Sequence, residues 1–229
     1  EHLLMSVFSY WSLYIARLLI VHENTKVRPY KLMVGGNGVV SKFPDTGQYF
    51  TDWNKENNFI ENLIVGDGEK PLAEVFNEGK VKYDNDTLDS FPFPSYEGYN
   101  LDDYQEKKAY ITGSRGCVRK CTFCDIYNIW PKFRYRSAES IVNEMKSHYE
   151  NYGVTRFDFT DSLINGSVSN FYKFNTLLAE AKAKDSNLKD IVYLGQAICR
   201  PRNQMPESHY EAMYYAGCKQ LTIGIESFS

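Results

Sequence analysis

The sequence predicts an α/β chain in two parts, a short open parallel sheet followed by a longer β/α series. Three observations carry that prediction. Two short apolar runs, Lys31-Leu32-Met33-Val34 and Asn62-Leu63-Ile64-Val65, each stop at a glycine-rich loop. From Lys108 onward, strand-like and helix-like segments alternate four times in succession. Between these halves, residues 84–107 show no period and carry Phe91-Pro92-Phe93-Pro94, which reads as a connector with aromatic anchors. The boundaries follow as 1–83, 84–107 and 108–229.

Composition narrows the function before any motif is considered. The 229 residues carry 26 Lys and Arg against 29 Asp and Glu, a net charge of −3, so no basic field points to nucleic acid. A hydrophobic fraction of 43% is enough to build a core, which excludes disorder for the chain as a whole. The five cysteines are odd in number, and three sit within eight residues. A disulfide framework spreads its cysteines and pairs them, so clustered thiols point to metal in a reducing, cytoplasmic compartment.

The elements are justified in chain order. His2 to Ile20 is apolar, but Ser6, Ser9, Ser12 and Arg17 interrupt it too often for a membrane span, and it has no basic start or cleavage site. A buried amphipathic helix is expected there. The run ending at Val34 closes on Gly35-Gly36-Asn37-Gly38, and the run ending at Val65 closes on Gly66-Asp67-Gly68-Glu69. Pro71 then opens a helix that Gly79 ends. Ligands of open parallel sheets bind beyond the carboxyl ends of the strands, where these glycines lie.

In the second half, Ala109 to Thr112 forms a strand leading into the cysteine loop. Ser137 caps a helix that stops at Gly153. A strand over 155–160, a helix over 168–184, a strand over 191–194, a helix from Pro206 to Gly217 and a strand over 220–225 follow. Four β-α steps predict parallel strands with right-handed crossovers. The chain begins at Glu1 rather than Met and ends just past a strand, so it reads as part of a longer protein whose barrel is cut short.

Cys117, Cys121 and Cys124 form Cys-x3-Cys-x2-Cys in Thr112-Gly113-Ser114-Arg115-Gly116-Cys117-Val118-Arg119-Lys120-Cys121-Thr122-Phe123-Cys124. Three thiolates on one tight loop can bind three corners of a cubane iron–sulfur cluster. Arg115, Arg119 and Lys120 favour the deprotonated thiolates. No fourth cysteine is near, so one iron keeps an open position. Structural zinc would need a second ligand pair, and a ferredoxin site would need a fourth Cys before Pro; neither is present. Cys199 and Cys218 have no partner spacing and read as small buried residues. Tyr127 to Arg136 reads as an aromatic lid over the cluster.

The triplet, with Phe123 just before its last Cys, resembles the signature of the radical S-adenosylmethionine enzymes. The resemblance implies an incomplete (β/α)6 partial TIM barrel and a [4Fe-4S] cluster. The unique iron of that cluster would chelate S-adenosylmethionine. It implies reductive cleavage of the sulfonium to methionine and a 5′-deoxyadenosyl radical, driven by a flavodoxin- or ferredoxin-type donor and acting on an unknown substrate. By the same resemblance, Asp161 contacts the amino group of the methionine moiety, Gly224 and Glu226 contact the ribose and adenosine, and Arg200 faces the carboxylate. For Arg200 a surface role before Pro201 is an equal reading.

The upstream half resembles the last two strand ends of the Rossmann-like cobalamin-binding domain of one sub-group, which includes radical methyltransferases and the anaerobic cyclase of chlorophyll synthesis. Gly35, Gly36, Gly66 and Gly68 would there let backbone approach the nucleotide tail of cobalamin. The Asp-x-His-x-x-Gly loop that supplies a cobalt ligand is absent from this sequence, and members of the sub-group exist with and without cobalamin, so the resemblance leaves that cofactor open. The expected function is a radical enzyme of methyltransferase type. The alternatives are a cobalamin-free oxidoreductase or methylthiotransferase-like enzyme, and an iron–sulfur electron-transfer or sensing module.

Overall fold

A computed structural model describes residues 1–76 and 87–225, without the side chain of residue 10. The chain divides into two compact units, Glu1–Tyr83 and Asp84–Ser229.

The first unit is a parallel sheet in the order β1 (His2–Ser6), β2 (Lys31–Gly35), β3 (Asn62–Leu63). The helix expected over the first twenty residues is corrected to two elements: β1, then α1 (Tyr10–Asn24). The physical reason is the pair of serines at the join. Ser9 caps α1 by accepting the Ser12 N–H while Ser12 Oγ accepts the Ser9 N–H, so the helix starts at that box and not before it. The residues ahead of it pair instead with β2, from His2↔Lys31 to Ser6↔Gly35. Nor is α1 buried all round. Leu13, Ala16 and Ile20 join Val7, Leu32 and Val34 in a core, whereas Trp11, Ile15, Leu18 and Leu19 are exposed. Between the sheet strands lie α2 (Phe50–Asn57), whose Phe50 and Trp53 pack on Phe43, and, after β3, α3 (Glu69–Phe76). The proposed stop at Gly79 lies outside the described residues.

The second unit is a parallel sheet of β4 (Lys108–Ile111), β7 (Arg156–Phe159), β8 (Val192–Ala197) and β9 (Cys218–Ile223), neighbours in space in the order of the chain. Sequential parallel order is the arrangement in which the strands of a β/α barrel follow one another. A two-residue antiparallel ribbon, β5 (Ser114–Arg115) with β6 (Arg134–Tyr135), brackets the cysteine loop, which also holds the one-turn α4 (Ile126–Ile129). The crossovers α5 (Ala138–Tyr152), α6 (Val168–Lys184) and α7 (Glu207–Ala216) cover one face of the sheet. Alternate strand residues Ala109, Ile111, Phe157, Phe159 and Tyr193 point into that face and meet Met145, Phe174 and Leu178. Each such large buried side chain contributes roughly 1.5–3 kcal/mol of burial. Ser137 caps α5 and Gly153 ends it in a left-handed conformation.

The connector is part of this unit. Leu88 is buried, and the Tyr96 ring meets His148 and Tyr152 edge-on at 5.3 and 5.6 Å. The Tyr96 N–H donates to Tyr152 Oη at 3.2 Å, and Asp89 accepts the Ser137 N–H at 2.8 Å. Aromatic residues in a proline-rich stretch here mark a packed strap rather than a free linker. No helix among the described residues is long and apolar enough to cross a membrane.

Candidate metal centre

The cysteine loop leaves the sheet at the carboxyl end of β4, enters through β5 and returns through β6. All three cysteines are free thiols, Cys121 exposed and Cys117 and Cys124 partly so. The tip is held by local bonds. The Cys124 N–H donates to the Cys121 carbonyl at 3.1 Å, and the Arg119 N–H donates to Cys117 Sγ at 3.4 Å. Lys120 lies over the Tyr127 ring at 4.6 Å, and Phe123 is 68% exposed. Gly116 is required where it stands: φ is +86°, and a Cβ would lie 2.7 Å from the Lys132 carbonyl oxygen. Among the described residues no three His, Cys, Asp or Glu side chains converge on a single-ion site. The donor set fits a cluster on its chemistry, with three unoxidised thiols, a short glycine-bent loop and cationic residues between the sulfurs.

The segment read as a lid is anchored at its far end. Phe133 packs directly on Gly166 of the loop after β7, and Arg136 is buried, ion-paired to the buried Glu144 of α5.

Asp161 follows β7 but does not open onto the mouth of the sheet. It is 3% exposed, and its two oxygens accept the Gly113 N–H at 2.8 Å and the Ser114 hydroxyl at 2.5 Å. Burial pushes its carboxyl up to about 6, opposed by those two hydrogen bonds. The expected contact with an amine is thus not made available by this side chain as placed. The polar groups that do face outward lie one row across the sheet, on the side away from the helices. Thr112 and Thr160 bond hydroxyl to hydroxyl at 2.9 Å, and Gln196 pairs in register with Thr222. Below them, Lys108 and Arg156 hold Asp158 at 2.9 and 3.2 Å, so this face is charged where a closed barrel would be aliphatic. Sequence reasoning expects Gln196 at this mouth but does not single out Thr112 and Thr160, which complete the row. Strand parity from the buried Ile111 and Phe159 would have found both.

Arg200, for which a carboxylate contact and a surface role are equal readings of the sequence, bonds within the fold. Its guanidinium donates to the Asn165 and Gly166 carbonyls, each at 3.0 Å. Asn165 in turn is buried and clasps Ile198 through both its N–H and its carbonyl, at 3.2 and 2.9 Å. The loops after β7 and β8 are thereby stitched together. Gly224 lies just after β9 and is exposed, and Glu226 is outside the described residues. Cys199 is exposed, against the expectation of burial, and Cys218 is partly buried, where burial pushes its thiol up.

In the first unit the two glycine pairs differ. The β2 end is tied to β1's exit, with the Val7 N–H donating to the Gly35 carbonyl and the Gly38 N–H to the Val7 carbonyl, both at 2.7 Å. Gly36 is exposed beside Val7, whereas Gly66 and Gly68 lie in an open loop after β3.

Comparison with known proteins agrees with this architecture. The cytidylyl-2-hydroxyethylphosphonate methyltransferase of Streptomyces wedmorensis is 30% identical over 153 residues, 61% of this chain and 27% of that protein. The ribosomal protein uS12 methylthiotransferase RimO of Clostridium novyi is 38% identical over 136 residues, 58% of this chain and 30% of its own length. The radical S-adenosylmethionine methyltransferase TsrM of Kitasatospora setae, solved with cobalamin and a [4Fe-4S] cluster bound, superposes with a TM-score of 0.71 at 17% identity. That likeness covers 100% of this chain and 50% of TsrM. The chain therefore spans less than a third of these two curated relatives. The profile of the Radical SAM superfamily matches residues 111–229, from the end of β4 through the last residue, and the chain belongs to that superfamily.

Proposed function

We propose that this chain carries the part of a radical S-adenosylmethionine enzyme that holds a [4Fe-4S] cluster on Cys117, Cys121 and Cys124. The observation that supports it best is the three-thiol loop at the carboxyl end of the first strand of a sequential parallel sheet. With an electron from a flavodoxin- or ferredoxin-type donor, the cofactors supply reductive cleavage of S-adenosylmethionine to methionine and a 5′-deoxyadenosyl radical.

The chain's own groups have simpler tasks. The thiols ligate three irons. The outward row of Thr112, Thr160 and Gln196 offers hydrogen-bond donors and acceptors to a polar ligand lying over the strand ends. Gly224, with Glu226 beyond it, remains our candidate for the ribose side, and Arg200 acts by fixing the Asn165–Gly166 turn. The aromatic residues after the last Cys are our candidates to cover the loop once the cofactors are bound.

Methyl transfer is the reaction type we favour, since the Streptomyces relative and TsrM are both methyltransferases by name. Cobalamin would then lie against the first unit, with Gly66 and Gly68 as the open approach. The identity to RimO favours a second reading, a cobalamin-free methylthiotransferase-like enzyme. Titration of the full chain with hydroxocobalamin separates them: a saturable change in the visible spectrum favours the first, and none favours the second. We place the enzyme in the cytoplasm, where thiols stay reduced.

The central test is direct. The full chain is reconstituted anaerobically with iron and sulfide, reduced with dithionite and given S-adenosylmethionine. The expected products are 5′-deoxyadenosine and methionine, with none from Cys121→Ala. A reduced cluster that yields no 5′-deoxyadenosine would overturn the reading in favour of an electron-transfer or sensing module.

A further inference from the structure

The cysteines lie in an 18-residue stretch, residues 116–133, entered and left only through the β5–β6 ribbon. That neck is gripped from two sides by buried groups of opposite charge. From the end of β7, Asp161 accepts the Gly113 N–H and the Ser114 hydroxyl. From the other side, the Arg136 N–H donates to the Gly113 carbonyl at 2.8 Å and its guanidinium to the Thr112 carbonyl at 3.3 Å. Arg136 is itself pinned by Glu144 and by the Ser140 hydroxyl at 2.8 Å. Both main-chain groups of Gly113 are therefore taken. A side chain there would be tight, because a Cβ would sit 3.0 Å from Phe159 and 3.1 Å from Asp161 Oδ1, and both would have to give way.

A ligand has no room. The cavity beside Asp161, lined also by Ser114, Ser167 and Asn170, is about 20 Å³, the size of one water molecule. The space beside the carboxylate is too small to admit a group of a cofactor. The carboxylate's hydrogen-bond partners sit on Gly113 and Ser114, four and three residues before Cys117.

We propose that Asp161 is a positioning residue: from the end of β7 it fixes the main chain at Gly113 and Ser114, and so sets where Cys117 enters the metal centre. It does this without contacting S-adenosylmethionine. Its partner in the task is Arg136, which holds the carbonyl side of the same turn.

The test has two arms, of which only the second rests on the proposed function. In the first, hydrogen–deuterium exchange is followed on the full chain without cofactors. Asp161→Ala should speed exchange over residues 113–124 by about tenfold while α5 and α6 keep their protection. Asp161→Asn should restore the wild-type pattern, since an amide can accept from Gly113 and donate to Ser114. Unchanged exchange over 113–124 in Asp161→Ala, or equal acceleration in α5 and α6, would overturn the proposal. Should Asp161→Ala fail to fold, Ser114→Ala, which removes one of the two bonds, is read in its place and must show the same local effect.

In the second arm, the reduced, reconstituted proteins are compared by electron paramagnetic resonance with and without S-adenosylmethionine. The share of cluster whose signal shifts on addition should fall by at least half in Asp161→Ala and recover in Asp161→Asn. An unaltered share in Asp161→Ala contradicts the positioning role. If the wild-type chain takes up no cluster, the proposed function fails while the exchange arm still decides the clamp.

Discussion

The neck of the cysteine loop and its tip are held by different kinds of contact. At the neck, Ser114 and Arg136 are 5% and 6% exposed, and besides the nearby Ser140 the anchoring groups come from elsewhere in the fold: Asp161 after β7, Glu144 on α5, Asn170 on α6. At the tip, Cys121 is exposed, Val118 and Phe123 are 43% and 68% exposed, and the bonds described at the cysteines, Cys124 to Cys121 and Arg119 to Cys117, run between residues three and two apart. The contrast shows how a metal loop divides its labour. Sequence-local residues supply the ligands, and sequence-distant ones decide where the ligands stand.

That contrast can be broken most severely at Gly116, which joins the two regions. Gly116→Ala forces a Cβ onto the Lys132 carbonyl at positive φ and should cost about 2–3 kcal/mol, read as a lower urea midpoint, together with loss of iron uptake. A midpoint equal to wild type would show that the ribbon does not close as described.

A smaller effect sharpens the neck. Burial pushes Asp161 up to about 6, so the folded chain binds this proton more tightly than the unfolded chain, whose Asp titrates near the ordinary value. Stability from this group is therefore lost as pH rises through about 6, not as it falls. Relative to Asp161→Asn, which cannot titrate, wild-type stability should drop by about 1 kcal/mol between pH 5 and pH 7. A difference that stays flat across that range would mean the carboxyl is not enclosed.

The smallest effect belongs to the tip. Val118→Ala trims a side chain that is 43% exposed and lies outside both cores, and should change stability by less than about 0.5 kcal/mol in the same urea titration. A larger loss would mean the tip is packed, and the contrast would fail.

These differences also explain what could be read from the residues alone. Cys-x3-Cys-x2-Cys, the glycines after β2 and β3, and the Ser137 and Gly153 caps were legible because each is a local signal. The strand β1 was not, because Leu3, Leu4 and Met5 are as apolar as a helix turn and their partner β2 lies beyond α1. The β5–β6 ribbon is too short to show a period. Asp161 was found as a residue that matters but given an outward task. Strand parity from Phe157 and Phe159 already points Asp161 inward, and the loop after β7, closing over Gly113, keeps it there. Thr160, exposed and bonded to Thr112, takes the outward place. Arg136 looked like one more cation in an aromatic run, and only the fold reveals Glu144 waiting across from it.

The claim on which the account turns is that the three thiols hold a cubane with one iron free for an exogenous ligand. Mössbauer spectroscopy of the full chain reconstituted with 57Fe measures this directly. The account predicts a [4Fe-4S] spectrum in which a single iron changes its parameters when S-adenosylmethionine is added, while the other three do not. Four irons all indifferent to S-adenosylmethionine, or a protein that takes up zinc in place of iron, would contradict it.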